Sequence, residues 1–171
     1  MTSIETNRLP VLLTIRAEQR YEDMEPDGVE LMTEGTLEPV EGGGLLLSYQ
    51  ESALTGLEGT TTRLHIDGGR VTLLREGSIN SQMVFEEGRR HLSMYETPYG
   101  ELSIGVNTRR MRSTLGEAGG DLEIDYAIEI DNLVAGHNLF RMNVKKHPAR
   151  PQRGRTEKRR ADYAESDPGR P

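Results

Sequence analysis

Residues 121–131, DLEIDYAIEID, alternate without a break. Leu122, Ile124, Tyr126, Ile128 and Ile130 share one face, and Asp121, Glu123, Asp125, Glu129 and Asp131 the other. A period of two belongs to an extended chain, whose successive side chains point to opposite faces; a helix would spread the same residues around its axis. The segment therefore reads as a strand with one face in a core and one in water.

The same period recurs along the chain. In PVLLTIRAEQRY, Val11, Leu13, Ile15 and Ala17 oppose Thr14, Arg16, Glu18 and Arg20. In GVELMTEGTLE, Val29, Leu31, Thr33, Gly35 and Leu37 oppose Glu30, Glu34 and Glu38. TTRLHID, RVTLLRE, SQMVFEE and HLSMYET are shorter, and Gly-, Glu- or Pro-containing turns separate them. EPDG (25–28), EGGG (41–44), DGG (67–69), EEG (86–88), TPYG (97–100), EAGG (116–119) and AGH (135–137) supply Gly for positive φ or Asp for a turn-forming side chain. Strands this regularly spaced predict an all-β, antiparallel meander of eight to ten strands forming a sandwich or a barrel; closure would remove exposed edges.

In GELSIGVNTRRMRSTLG the apolar residues sit at even positions (Leu102, Ile104, Val106) and then at odd ones (Met111, Leu115). A one-residue slip in mid-strand predicts a β-bulge near Arg109-Arg110. It turns Arg110 and Arg112 toward the acidic outer face of 121–131. Arg141 and Lys145, from LFRMNVK, are expected on that face's other side, as cross-strand charge pairs.

Charge divides the 171-residue chain. Residues 1–144 hold 12 Lys+Arg and 24 Asp+Glu, and residues 145–171 hold 9 and 4. An acidic body thus precedes a basic arm whose Pro-, Arg- and Gly-rich composition has little to bury. The reading is a flexible N-terminus at 1–9, a barrel domain at 10–146 and a disordered basic tail at 147–171. TEKRRADYAES, with Thr156 as N-cap, is a short candidate helix, marginal in isolation. Cysteine is absent, which excludes disulfides, thiolate metal sites and a cysteine nucleophile and suits a reducing cytoplasm. No apolar run approaches the ~20 residues needed to span a bilayer, and Pro10–Ile15 is too short for a signal-peptide core. A cytoplasmic protein with no membrane association is expected.

Several short motifs in order resemble the YwiB-like family of uncharacterised bacterial proteins: Tyr49-Gln-Glu51, Leu54-Thr-Gly56, Arg75-Glu-Gly77, Tyr95-Glu-Thr97 with Tyr99-Gly100, and Leu122 to Ile130 around Tyr126. The resemblance covers roughly residues 10–147. It implies a calycin-like (lipocalin-type) β-barrel and no established activity.

Six side chains are candidates for a polar lining of the lumen: Tyr49, Glu51, Arg75, Tyr95, Thr97 and Tyr126. Tyr49 and Glu51 share parity with Leu45 and Leu47, and Arg75 with Val71 and Leu73, so a phenol, a carboxylate and a guanidinium point inward. Such a set can be a ligand site in which Arg75 grips an anion, or a structural Glu51–Arg75 ion pair. YETPYGE (95–101) can extend the lining or simply turn a corner, with Pro98 fixing φ and Gly100 taking positive φ.

The histidines at 65, 91, 137 and 147 lie on separate elements at no metal-ligand spacing, and His65 shares parity with Thr61 and Arg63, which predicts an outward, solvated ring. No metal, cofactor, nucleophile elbow or phosphate loop is expected. The function expected is therefore non-catalytic binding of a small, anionic ligand in the lumen. The alternative is an interaction or scaffold protein with a filled barrel, contacting a protein or RNA partner through its acidic face or basic tail. Nucleic-acid contact would be confined to a weak, salt-sensitive one by the arm, since the acidic body repels phosphate. A third reading is a hydrolase using the Glu51/Tyr95 region. Oligomeric state has no signature in the sequence.

Overall fold

Alternation of this kind buries one face per strand, and ten strands achieve it by closing on themselves. A computed structural model describes residues 7–21 and 23–148. The strands are β1 (Leu9–Arg20), β2 (Asp27–Pro39), β3 (Leu45–Gln50), β4 (Thr60–Asp67), β5 (Arg70–Gly77), β6 (Ser81–Glu86), β7 (Arg90–Thr97), β8 (Gly100–Ser113), β9 (Gly120–Ile130) and β10 (Leu133–Lys146). Each pairs antiparallel with the next, and β10 returns to β1 over Val11↔Lys146 to Arg20↔His137, so the sheet is a closed barrel. Among the described residues, the one helical element is a 3-10 turn, η1 (Ala53–Thr55), between β3 and β4. Residues of the expected N-terminal and C-terminal segments before Asn7 and after Pro148, including the candidate helix at Thr156, lie outside the described residues. His147, the first residue of the expected tail, is still held by the barrel: its N–H donates to Pro10 O at 3.0 Å and its ring meets Glu34 at 3.0 Å.

The bulge falls where the parity slips. The β8–β9 register jumps between Thr108 and Arg110, leaving Arg109 as the extra residue. The turn after β6 serves the groups that the bulge frees. Gly88 N–H donates to Thr108 O, Thr108 N–H to Arg89 O, and Met111 N–H to the Glu87 carboxylate at 2.9 Å. Beyond the bulge, Arg110 stands opposite Asp125 and Arg112 opposite Glu123, and Arg141 Nε approaches Glu123 to 3.6 Å. Lys145 shares this outer face but lies one residue beyond the β9 ladder, which ends at Val144↔Gly120; Asn143 donates to Asp121 at 2.8 Å.

Two local expectations are corrected. AGH (135–137) is not a turn: it lies within β10, where a second bulge shifts the register between Val134 and Gly136. The hairpin turns at Asp131-Asn132, both at positive φ (53° and 64°). A two-residue turn of that hand matches the strand twist, and Asp and Asn tolerate it better than most residues. On β7 the inner face is the polar one, as the inward candidate Tyr95 implies: Ser93 is buried inside, and Leu92 and Met94 are exposed outside. His65 does face outward, but its Nε2 is buried rather than solvated.

The interior is filled at one end only. Val11, Leu13, Leu37, Leu47, Leu64, Ile66, Val71, Val106, Leu122 and Val144 are at most 6% exposed. They pack the end at which the chain enters and leaves and which the β2–β3, β4–β5, β6–β7 and β8–β9 turns close. Toward the opposite end, with η1 and the YETPYGE hairpin, the side chains part around a cavity.

Candidate functional site

The cavity has a volume of about 390 Å³, within the roughly 300–1,000 Å³ usual for small-molecule sites. Its walls are mostly apolar. Ile15, Leu31, Leu64, Leu73, Met83, Phe85, Ile104, Ile124 and Phe140 contribute from eight strands, and Leu54, Thr55 and Leu57 of the η1 loop border its mouth.

One lateral row of the sheet carries its polar side. Gly35, Tyr49, Thr62, Arg75, Ser81, Tyr95 and Leu102 are successive direct partners across β2 to β8. Direct partners point to the same face, so the inward parity of Tyr49 carries Thr62, Arg75, Ser81 and Tyr95 with it, while Leu102 at the end of the row is 37% exposed. One layer deeper the corresponding row reads Leu37, Leu47, Leu64, Leu73, Met83, Ser93 and Ile104, almost entirely apolar. A single polar belt thus rests on an apolar floor.

Glu51 follows β3 directly. Its N–H donates to Thr60 O at 2.9 Å. One carboxylate oxygen accepts the Thr62 hydroxyl at 3.2 Å and the other the Thr55 hydroxyl at 3.0 Å. Glu51 therefore ties the η1 loop to the wall. The expected ion pair with Arg75 does not form: among the described residues no acidic group lies within 4 Å of the Arg75 guanidinium, and its Nε is buried without a hydrogen-bond partner. The hydroxyl of Ser81, directly opposite Arg75 on β6, is likewise buried and unpartnered among the described residues.

Two phenols complete the polar side. Burial pushes the Tyr49 hydroxyl up from its ordinary pKa, the Glu51 charge pushes it further, and Arg75 partly opposes both. Burial also raises Tyr126, again against the pull of Arg75. Tyr126 packs edge-on against Phe85, with ring centroids 4.8 Å apart. Both tyrosines are therefore held as neutral donors around one cation.

Of the six candidates, Tyr49, Glu51, Arg75, Tyr95 and Tyr126 line this one cavity. Thr97 does not. Its hydroxyl donates to Gly100 O at 2.6 Å and accepts the Tyr99 N–H at 3.2 Å, so it closes the β7–β8 turn. Tyr99 is fully exposed. YETPYGE is thus a corner from Thr97 onward, and only Tyr95 reaches the cavity. Thr62 and Thr55 were missed. Thr62 shares the parity of Leu64 and Ile66 and was legible on that ground; Thr55 sits in an aperiodic loop and carried no signal.

Comparison with known proteins agrees with the barrel. The "Uncharacterized beta-barrel protein YwiB" of Bacillus subtilis (strain 168) is 27% identical over 101 residues, 58% of this chain and 70% of that one. The crystal structure of the ywiB protein from Bacillus subtilis superposes with a TM-score of 0.72 at 21% identity, covering 83% of this chain and 94% of that chain; this likeness is one of fold. The family described as Domain of unknown function (DUF1934) matches residues 13–142. The chain belongs to the DUF1934 family.

Proposed function

We propose that this protein binds a small molecule carrying one anionic group on an apolar body, held in the open half of the lumen of a calycin-like barrel. The observation that carries the reading is Arg75, whose buried Nε lacks a partner among the described residues beside an apolar cavity. A buried donor left unsatisfied costs about 1–3 kcal/mol, and more when charged, so a guanidinium in that position favours an acceptor from outside the chain. A carboxylate suits it, because the guanidinium offers a planar fork of donors. The Ser81 hydroxyl and the neutral phenols of Tyr49 and Tyr126 are further donors, and Met83, Phe85, Ile124 and Phe140 suit an aliphatic or aromatic body. A chain without cysteine is at home in a reducing cytoplasm, where we place it.

Native mass spectrometry of the full-length protein, compared with its denatured mass, tests this. A reproducible excess mass, or retention of added decanoate, that disappears in Arg75→Ala while circular dichroism stays unchanged supports the reading. A clean apo mass across preparations, with decanoate not retained, overturns it.

A further inference from the structure

Along β2 the barrel wall is incomplete. Toward β1 the strand is paired from Asp27 to Leu37, but toward β3 the ladder covers only Gly35–Pro39. β3 ends at Gln50, and the chain then leaves the wall through η1 before returning at Thr60. Among the described residues, nothing makes a backbone hydrogen bond to Asp27–Thr33 on the side facing away from β1. An open edge of this length is a template for another strand, and proteins ordinarily block such edges.

The charges along the gap say which strand it excludes and which it admits. Residues 23–34 hold Asp23, Glu25, Asp27, Glu30 and Glu34 with no Lys or Arg, and residues 51–59 hold Glu51 and Glu58, again with none. Among the described residues, Arg16 faces the edge from β1, 3.3 Å from Glu30, and Glu34 is already partnered, the His147 ring meeting it at 3.0 Å. A second copy added antiparallel would set these carboxylates against their own kind, which is destabilising. A cationic strand would meet the opposite field. Side-chain direction adds a pattern, because Val29 and Leu31 face the mouth of the cavity while Glu30 and Glu34 face out. An incoming strand therefore matches β2 when apolar residues alternate with basic ones.

We propose that the Asp27–Thr33 edge is a strand-addition site for an extended, cationic segment of a partner protein with apolar residues at alternate positions. Backbone hydrogen bonds would supply the affinity and the alternating side chains the selectivity, as in other edge-strand recognition. The inference stands independently of any lumen ligand.

The test uses the full-length protein and a labelled alternating Lys-Val octapeptide, read by fluorescence anisotropy and by amide hydrogen exchange. Saturable binding is expected, with exchange slowed over residues 27–33. The double variant Asp27→Lys/Glu30→Lys should weaken binding by about tenfold or more, and a Glu-Val octapeptide should bind that variant instead. A Lys-Val peptide N-methylated at alternate residues keeps its charge but loses the ladder, and should not bind. The proposal is overturned if the Lys-Val peptide does not bind, if the N-methylated peptide binds equally well, or if charge reversal changes nothing. It is also overturned if 27–33 already exchanges slowly throughout in the protein alone, which would show that the chain covers its own edge. The N-methyl comparison uses the unmodified protein and so holds even if the double variant fails to fold.

Discussion

Arg75 on β5 acts on Tyr126 on β9, four strands further round the barrel, and offsets part of the effect of burial on the phenol. One guanidinium therefore bears on both buried phenols, Tyr49 and Tyr126, of a cavity whose remaining wall is largely apolar. Such a residue is poorly explained by stability, since Arg75 is half-buried with its Nε buried and unpartnered among the described residues, a cost that packing must offset. Replacing it by Met, of similar length and apolar, should raise the stability of the empty barrel by about 1–3 kcal/mol while abolishing retention of a carboxylate. Urea denaturation compared with native mass spectrometry measures both. A variant that loses stability would show Arg75 to be a structural residue.

Glu51 has the opposite character. Its two oxygens accept hydroxyls from Thr62, fully buried on β4, and from Thr55 in the η1 loop. Glu51→Ala would strand the Thr62 hydroxyl and release the loop, at a cost of about 1–3 kcal/mol. Thr55→Ala breaks only the loop contact. It should cost less than Glu51→Ala and should increase amide exchange over 52–59 with little change on β4. Equal exchange in the two variants would refute the tether.

Much of this architecture is legible in the sequence, for a physical reason. Where one strand face is in the core and the other in water, as at Leu122–Ile130, the period of two names both faces. Where the register slips at Arg109, the parity slips with it. Legibility ends where that contrast ends. Leu92 and Met94 alternate as cleanly as any pair, yet they face outward, because period alone does not say which face is inside. Leu54, Thr55 and Leu57 border the cavity mouth from a loop with no period. The Asp131-Asn132 turn is short and has no Gly, so the Gly of AGH attracts the reading although it sits beside a bulge. The missing Glu51–Arg75 pair has the same origin: parity placed both groups inside, but only their distance decides whether they bond.

Gly35 marks the point at which β2 passes from its open edge to its ladder with β3. A Cβ there would come within 2.6 Å of the Ser48 carbonyl oxygen and 3.0 Å of Leu13 Cδ1. The first contact is backbone, so relief requires the two strands to part. Gly35→Ala should therefore destabilise the protein by about 1–3 kcal/mol, despite the better strand propensity of Ala, and should extend the unpaired edge toward Leu37. A drop in the urea midpoint, with faster amide exchange at 35–39, is the expected result. A neutral substitution would mean that the two strands adjust freely.

The two buried tyrosines predict the alkaline limit of the fold. Burial, reinforced at Tyr49 by Glu51, raises both phenols above their ordinary value of 10.0. In the unfolded chain they ionise near that value, while in the folded protein they keep their protons to higher pH. As pH rises past about 10, the unfolded state therefore binds fewer protons than the native state, and stability falls. The slope is about 1.4 kcal/mol per pH unit for each tyrosine, and the contribution is fully present below pH 10. Tyr49→Phe and Tyr126→Phe should each flatten the fall without altering its onset. Phenolate absorbance should show both hydroxyls resisting titration until the barrel opens, and an ordinary titration of either one below that point would place it in water rather than in the wall.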